Sequence, residues 1–274
     1  MSSMKGKRVV ITGPTKGIGR VTAVELAKKG AEMILVARDE ARAKELAKEI
    51  GGADVFIGDL SSIAEVKRVG NEIAKKYDRI DVLINNAGAI NLEREKTVDG
   101  FERTFATNHL AYFVLTEKLL PSLKNAPSAR IVSVASEAHR QGKIDFDDLQ
   151  FEKKWSGMDA YFASKLANIL FNAELARRLE GTKVTANSLH PGAVASGFMT
   201  NNSGIIALGW KVISPFLLSN EKGAKTTIFL ASDPSVEGVT GKYFEKCKER
   251  KPSRRARDMA VAHRLWEVSE DLVR

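Results

Sequence analysis

The chain has 274 residues, 43% of them hydrophobic, which is enough to bury a core as one large domain or two small ones. Its single cysteine, Cys247, excludes an internal disulfide and fits a reducing compartment, while a net charge of +9 raises the question of nucleic acid. The start, MSSMKGKRVVITG, has too few apolar residues for a signal peptide, and the most apolar later run (204–218) is broken by Lys211 and Pro215, so a cytoplasmic protein without a transmembrane span is expected.

The first apolar, β-branched run, RVVIT (8–12), leads through Gly13, Gly17 and Gly19 into GRVTAVELAKKG (19–30), which has helical period. GxxxGxG between a strand and a helix is the spacing of a dinucleotide loop: glycine lets backbone approach a pyrophosphate, and a helix N-terminus favours its charge. Pro14 has no N–H, so donors on either side must serve. EMILVA (32–37) reads as the second strand. At its end, a carboxylate would bind the adenosine ribose and repel a 2′-phosphate. This chain has Ala37 followed by Arg38 there, with Lys16 in the glycine loop, and that pair favours NADP(H).

EARAKELAKEI (40–50) has helical period, and DVFIG (54–58) reads as the third strand. Asp59, just beyond it, is placed to meet the adenine amino group or simply to cap a turn. Ser62 and Glu65 form a capping box for a third helix. DVLIN (81–85) then runs into Asn86, Ala87 and Gly88, small residues where a cofactor must lie close to a strand end. A fourth helix is expected over 101–120, then RIVSVA (130–135), a helix containing Tyr161 and Lys165, KVTANSL (183–189), a helix at 221–232, and KYFE (242–245). EKCKERKPSRRAR (245–257) reads as a solvated, basic connection to a last helix from about 256 to 272. No aromatic residues are interleaved with its cations and no recognition motif is visible, so no nucleic-acid partner is expected, although peripheral contact with an anionic membrane fits the charge.

Strands alternating with helices over the whole chain predict an α/β fold: a doubly wound, Rossmann-type parallel sheet with helices on both faces. A single domain is expected over residues 1–274, with an insertion at about 193–220 that reads either as an apolar substrate lid or as a pair of short helices packed on the core or on a neighbouring subunit. Tyr161 and Lys165 stand at i, i+4 on one helix face. In isolation that pair reads as an amphipathic helix. Beside a dinucleotide loop it reads as a phenol, ordinarily titrating near pH 10, made more acidic by an ammonium. His109, His139, His190 and His263 lack metal-ligand spacing, and His190 is expected to shape the turn at Pro191 and Gly192.

Taken together, TGxxxGIG (12–19), NNAG (85–88), Asn108, Ser136, Tyr161-x-x-x-Lys165 and HPG (190–192) resemble the short-chain dehydrogenase/reductase superfamily, in that family's order and over nearly the whole chain. Local strings such as SVASEAH and AYFASKLANILF look like its retinol-dehydrogenase-like branch, which includes the WW-domain-containing oxidoreductase. The resemblance implies an oxidoreductase interconverting a carbonyl and an alcohol. Tyr161 would be the general acid/base, Ser136 would bind the substrate oxygen, Lys165 would hold the nicotinamide ribose, and Asn108 would position a water beside Lys165. The implied NADP(H) contacts are Gly13, Thr15, Lys16, Gly17, Ile18, Gly19, Arg38, Asp59, Leu60, Asn86, Ala87, Gly88, Tyr161, Lys165, Pro191, Gly192, Val194 and Ser196. Ser196 stands where the family commonly has threonine. A small-molecule carbonyl or alcohol substrate and a homo-oligomer are implied too. Reduction of a C=C bond, or a non-catalytic NADP(H)-sensing or scaffold role, are the alternatives.

Overall fold

In the computed structural model, residues 3–192 and 219–274 are described. Among the described residues there are eight strands: β1 (Arg8–Thr12), β2 (Glu32–Ala37), β3 (Asp54–Ile57), β4 (Val82–Asn85), β5 (Ala129–Val134), β6 (Val184–His190), β7 (Tyr243–Glu245) and β8 (Lys248–Arg250). They form one sheet in the order β3-β2-β1-β4-β5-β6-β7-β8. Every pairing is parallel except β7 with β8. The chain winds outward from β1 to β3, then returns to lay β4 on the other side of β1. The switch point therefore lies between the carboxyl ends of β1 and β4, where open sheets of this kind bind ligands.

Alternation along the strands sorts the core into two layers. Val10, Ile34, Val36, Leu83 and Ile131 face a cluster built with α3 (Ile63–Lys76), α4 (103–124) and α5 (Gly157–Arg178). Val9, Ile11, Met33, Leu35, Val82 and Ile84 face the opposite layer, with α1 (Gly17–Lys28), α2 (Glu40–Glu49) and α6 (Asn220–Ser232). Helix α4 is continuous over Arg103–Phe105, a π-turn at Ala106–Leu110, and Ala111–Lys124. The last helix, α7 (Met259–Leu272), closes over α5.

Two boundaries differ from the sequence reading. Part of the basic connection is strand β8, reached through a tight turn in which Lys246 and Cys247 have φ of 51° and 59°. Its residues Lys248, Glu249 and Arg250 are all exposed at the sheet edge, so no apolar alternation marks them, and charge there discourages pairing with another chain. Helix α7 starts at Met259 rather than 256, because Asp258 accepts from the N–H groups of Ala260 and Val261 and caps it.

Candidate active site

The ends of β1 and β4 are tied together before any ligand is considered. Thr12 Oγ1 accepts from the N–H groups of Asn86 and Ala87, each at 2.9 Å. Asn86 Nδ2 donates to the carbonyls of Thr12 (2.8 Å) and Gly13 (3.2 Å). Gly13 and Gly17 have φ of 63° and 55°, conformations that favour glycine. At Gly19 a Cβ would stand 2.2 Å from the Gly13 carbonyl oxygen and 2.5 Å from Asn86 Nδ2, so only glycine lets α1 start so close to the loop.

Lys16 begins α1 without a side-chain cap, whereas Asp39, Ser62, Glu102, Ser156, Ser219 and Asp258 cap the other helices described. The first-turn N–H groups of α1 thus have no side-chain acceptor, an arrangement suited to a pyrophosphate. Thr15 and Ile18 are half-buried beside them, and Lys16 is exposed. The loop fits a dinucleotide on these grounds.

At the adenosine end, Ala37 is buried and Arg38 is exposed, with no ion pair among the described residues. The nearest carboxylate in sequence, Asp39, is occupied: it caps α2 by accepting from Arg42 N–H (3.1 Å) and pairs with the Arg42 guanidinium. Asp59 accepts from Ser61 N–H (2.9 Å), so one of its oxygens serves the turn. Leu60 packs its side chain into the core, and any cofactor contact there falls to its backbone, which apolar character in the sequence did not distinguish. Pro191 and Gly192 follow β6, half-buried, Gly192 with φ of 96°. Val194, Ser196 and the expected lid over 193–218 lie outside the described residues. Ser219 and Asn220, assigned to that lid, instead cap and open α6.

The four residues singled out for chemistry converge next to this loop. Asn108 sits in the π-turn of α4, fully buried. Its Oδ1 accepts from Ala89 N–H (2.8 Å), and its Nδ2 donates to the Ala89 carbonyl (2.9 Å) and to Ser164 Oγ (3.0 Å). Ser164 passes its own proton to the Tyr161 carbonyl (2.8 Å). The amide is therefore a brace between the β4–α4 loop and the helix bearing Tyr161 and Lys165. Lys165 is buried, donates to the Val134 carbonyl (3.3 Å), and lies 5.7 Å from the centre of the Tyr161 ring. A Cβ on Gly88 would be 3.3 Å from both Asn108 Oδ1 and Lys165 Nζ, so this glycine keeps the space in front of the lysine open. Ser136 follows β5. Its Oγ accepts from Ala138 N–H (3.2 Å), and its hydroxyl lies close enough to the Tyr161 phenol to favour the ionised form. Ser133, by contrast, is sealed inside the sheet.

Thr12, Ala89, Ser164 and Asn168 were not singled out from sequence. Asn168 shares the Val134 carbonyl with Lys165 (3.3 Å). Ser164 directly precedes Lys165, the one local signal that could have found it.

The electrostatics correct the sequence reading. Burial pushes the Tyr161 phenol up to about 12, partly offset by the Ser136 hydroxyl. Burial also brings the Lys165 ammonium down to about 7. Desolvation thus favours the neutral phenol, the opposite direction from the acidification expected from Lys165.

The family model for short chain dehydrogenases matches residues 7–204, well over half of the chain. The chain belongs to the short-chain dehydrogenase family. It is retinol-dehydrogenase-like: retinol dehydrogenase 14 of Homo sapiens is 42% identical, the match covering 98% of this chain and 87% of that protein. The crystal structure of an uncharacterized protein from Mycobacterium Paratuberculosis superposes with a TM-score of 0.82 at 34% identity, covering 100% of this chain and 95% of that one. The Pseudomonas aeruginosa RhlG/NADP active-site complex has a TM-score of 0.71 at 25% identity, covering 88% and 95%. As a short-chain dehydrogenase, the protein is an alcohol/carbonyl oxidoreductase of a family that binds a nicotinamide cofactor. Among the described residues no helix is long and apolar enough to cross a membrane, and no cluster of His, Cys, Asp and Glu is arranged to hold a metal.

Proposed function

We propose that the protein is an NADP(H)-dependent reductase of apolar ketones or aldehydes, with Tyr161 as general acid and, in the reverse direction, general base. The observation that carries this reading is the convergence of Ser136, Tyr161 and Lys165 beside Gly88, braced by Asn108, at the carboxyl end of β4 and β5. When bound, the nicotinamide cofactor exchanges hydride with the substrate carbon. Lys165, with N–H groups beyond the one given to Val134, would orient the nicotinamide ribose. Ser136 would donate a hydrogen bond to the substrate oxygen, and Tyr161 would pass its proton to that oxygen in reduction.

A phenol held protonated up to about pH 12 is ready for reduction across the neutral range. Oxidation requires its phenolate, which a charged Lys165 favours. NADP(H) is favoured by Arg38, which has no carboxylate partner among the described residues, and by Lys16. The latter lines a cleft of about 190 Å³ between the glycine loop and α2, together with Thr15, Arg20, Arg42, Glu45 and Glu49; Arg20 pairs with Glu49 and Arg42 with Asp39, so Lys16 is the cation there without a carboxylate partner among the described residues. The apolar substrate class rests on the relatives' name, retinol dehydrogenase. A cytoplasmic homo-oligomer is the state this reading favours, resting on family analogy and the lone cysteine.

The deciding experiment is Tyr161→Phe, assayed at 340 nm with NADPH against all-trans-retinal, a medium-chain aldehyde and an aromatic ketone. Loss of the proton donor is expected to lower kcat by about 10²–10⁴-fold, with NADPH binding retained. Turnover equal to wild type would overturn the assignment.

A further inference from the structure

His139 is completely buried three residues after Ser136, and both of its ring nitrogens are engaged by backbone. Nε2 faces the N–H of Ser253 at 3.1 Å, and Nδ1 faces the Ser136 carbonyl oxygen at 2.7 Å. A backbone N–H can only donate, so Nε2 must carry the lone pair. A carbonyl can only accept, so Nδ1 must carry the hydrogen. The two partners leave one consistent state: a neutral imidazole protonated at Nδ1. The ring packs edge-on against Tyr243 at 5.2 Å, and the Tyr243 hydroxyl donates to Glu137 Oε2 at 3.2 Å. Two further bonds join the same segments, Arg255 to the Gly142 carbonyl (3.0 Å) and Arg140 to the Lys251 carbonyl (3.5 Å). The turn carrying Ser136 is therefore held against the basic segment after β8.

We propose that His139 is a positioning residue for Ser136: its Nδ1–H fixes the Ser136 backbone so that the hydroxyl meets Tyr161 and the substrate oxygen. Through Ser253 it couples this serine to the residues after β8. The proposal rests on the reading of Ser136 as the group that binds substrate oxygen. Ser136 Oγ already accepts from Ala138 N–H, one residue before His139, so its aim depends on how this turn is seated. Burial disfavours the charged imidazolium, consistent with the neutral form. The charges that act on it are Glu137 and Arg140 on the same turn, while Glu245 and Lys246 act on His190.

The test separates a donor at Nδ1 from mere space-filling. Asparagine puts an amide where Nδ1 stands, whereas glutamine is nearer the ring in volume but reaches the position of Nε2. With NADPH and all-trans-retinal or the aldehyde reduced fastest by wild type, His139→Gln and His139→Ala are expected to lower kcat by about 10–100-fold, the scale of a misplaced catalytic group. His139→Asn should stay within about threefold, and KM for NADPH should not change in any of them. In the Ser136→Ala background, His139→Ala should add almost nothing, since it acts through the missing hydroxyl. Long-range ¹⁵N–¹H spectra of the imidazoles, with His139 assigned by its loss in His139→Asn, should show the Nδ1–H tautomer whether or not a substrate is known.

An Nε2–H tautomer, glutamine outperforming asparagine, or fully multiplicative effects with Ser136→Ala would each overturn the proposal while leaving the catalytic reading intact. A fully active Ser136→Ala would instead overturn that reading, and this inference with it.

Discussion

Lys165 shows most directly how the proposed function would cost stability. It is buried, with one hydrogen bond to a carbonyl, and its ammonium titrates at about 7 rather than near 10.5. Between those values the unfolded chain binds the extra proton, so folding is disfavoured; the penalty is full below pH 7 and fades as pH rises to 10.5. Lys165→Met is therefore expected to stabilise the protein by about 1–4 kcal/mol at pH 7 while removing activity, a gain that vanishes by pH 10.5. Urea unfolding at several pH values checks it. On the proposed function, Arg38 would be a second case in which one side chain decides a property. Two charged hydrogen bonds to a 2′-phosphate, at about 1.5–3 kcal/mol each, set the scale of preference. Arg38→Asp is expected to shift the NADPH/NADH ratio of kcat/KM by about two orders of magnitude or more toward NADH. Both residues were legible in the sequence. The balance of burial against charge at Tyr161 was not, because desolvation depends on neighbours distant in the chain.

At the level of elements, the glycine loop and α1 act as one part. Gly19 lies where a Cβ would press on the Gly13 carbonyl, whose position is fixed by Asn86. The Gly13 carbonyl is backbone rather than the end of a flexible side chain, so backbone must move. Gly19→Ala is expected to destabilise by about 1–3 kcal/mol and to weaken NADPH binding, read by thermal melts and cofactor fluorescence. The π-turn at Ala106–Leu110 is the other special element: its extra residue breaks the helical period where Asn108 turns to Ala89 and Ser164. In the same turn His109, buried and held down to about 3, reaches Ser269 of α7 at 2.8 Å. Strand and helix positions followed from apolar patterning because each buries a face. The exposed strand β8 and the π-turn left no such pattern.

Across the whole molecule, α7 backs the helices that carry Asn108, Tyr161 and Lys165. Trp266 packs on Phe113 of α4 (4.8 Å between ring centres) and stacks on Phe171 of α5 (5.7 Å, 11° between planes), with the Arg178 guanidinium 4.4 Å from its ring. Trp266→Ala is expected to cost about 3–5 kcal/mol in urea unfolding and to lower kcat as α4 and α5 loosen around Asn108 and Tyr161. A stability loss under 1 kcal/mol would show that α7 is only appended to the fold.

By itself the sequence determined the α/β order, the glycine loop, the cationic end of β2 and the Tyr161–Lys165 pair. Each of these depends on residue types at short spacing, which local geometry converts directly into a strand, a turn or a shared helix face. Tertiary structure alone decided that Asn108 braces Ser164, that Asp39 is withdrawn from the adenosine end by Arg42, and that His139 joins Ser136 to Ser253. It also decided that burial holds the phenol protonated. Those outcomes rest on hydrogen bonds and desolvation between segments brought together by the winding of the sheet, and local patterning carries no record of such partners.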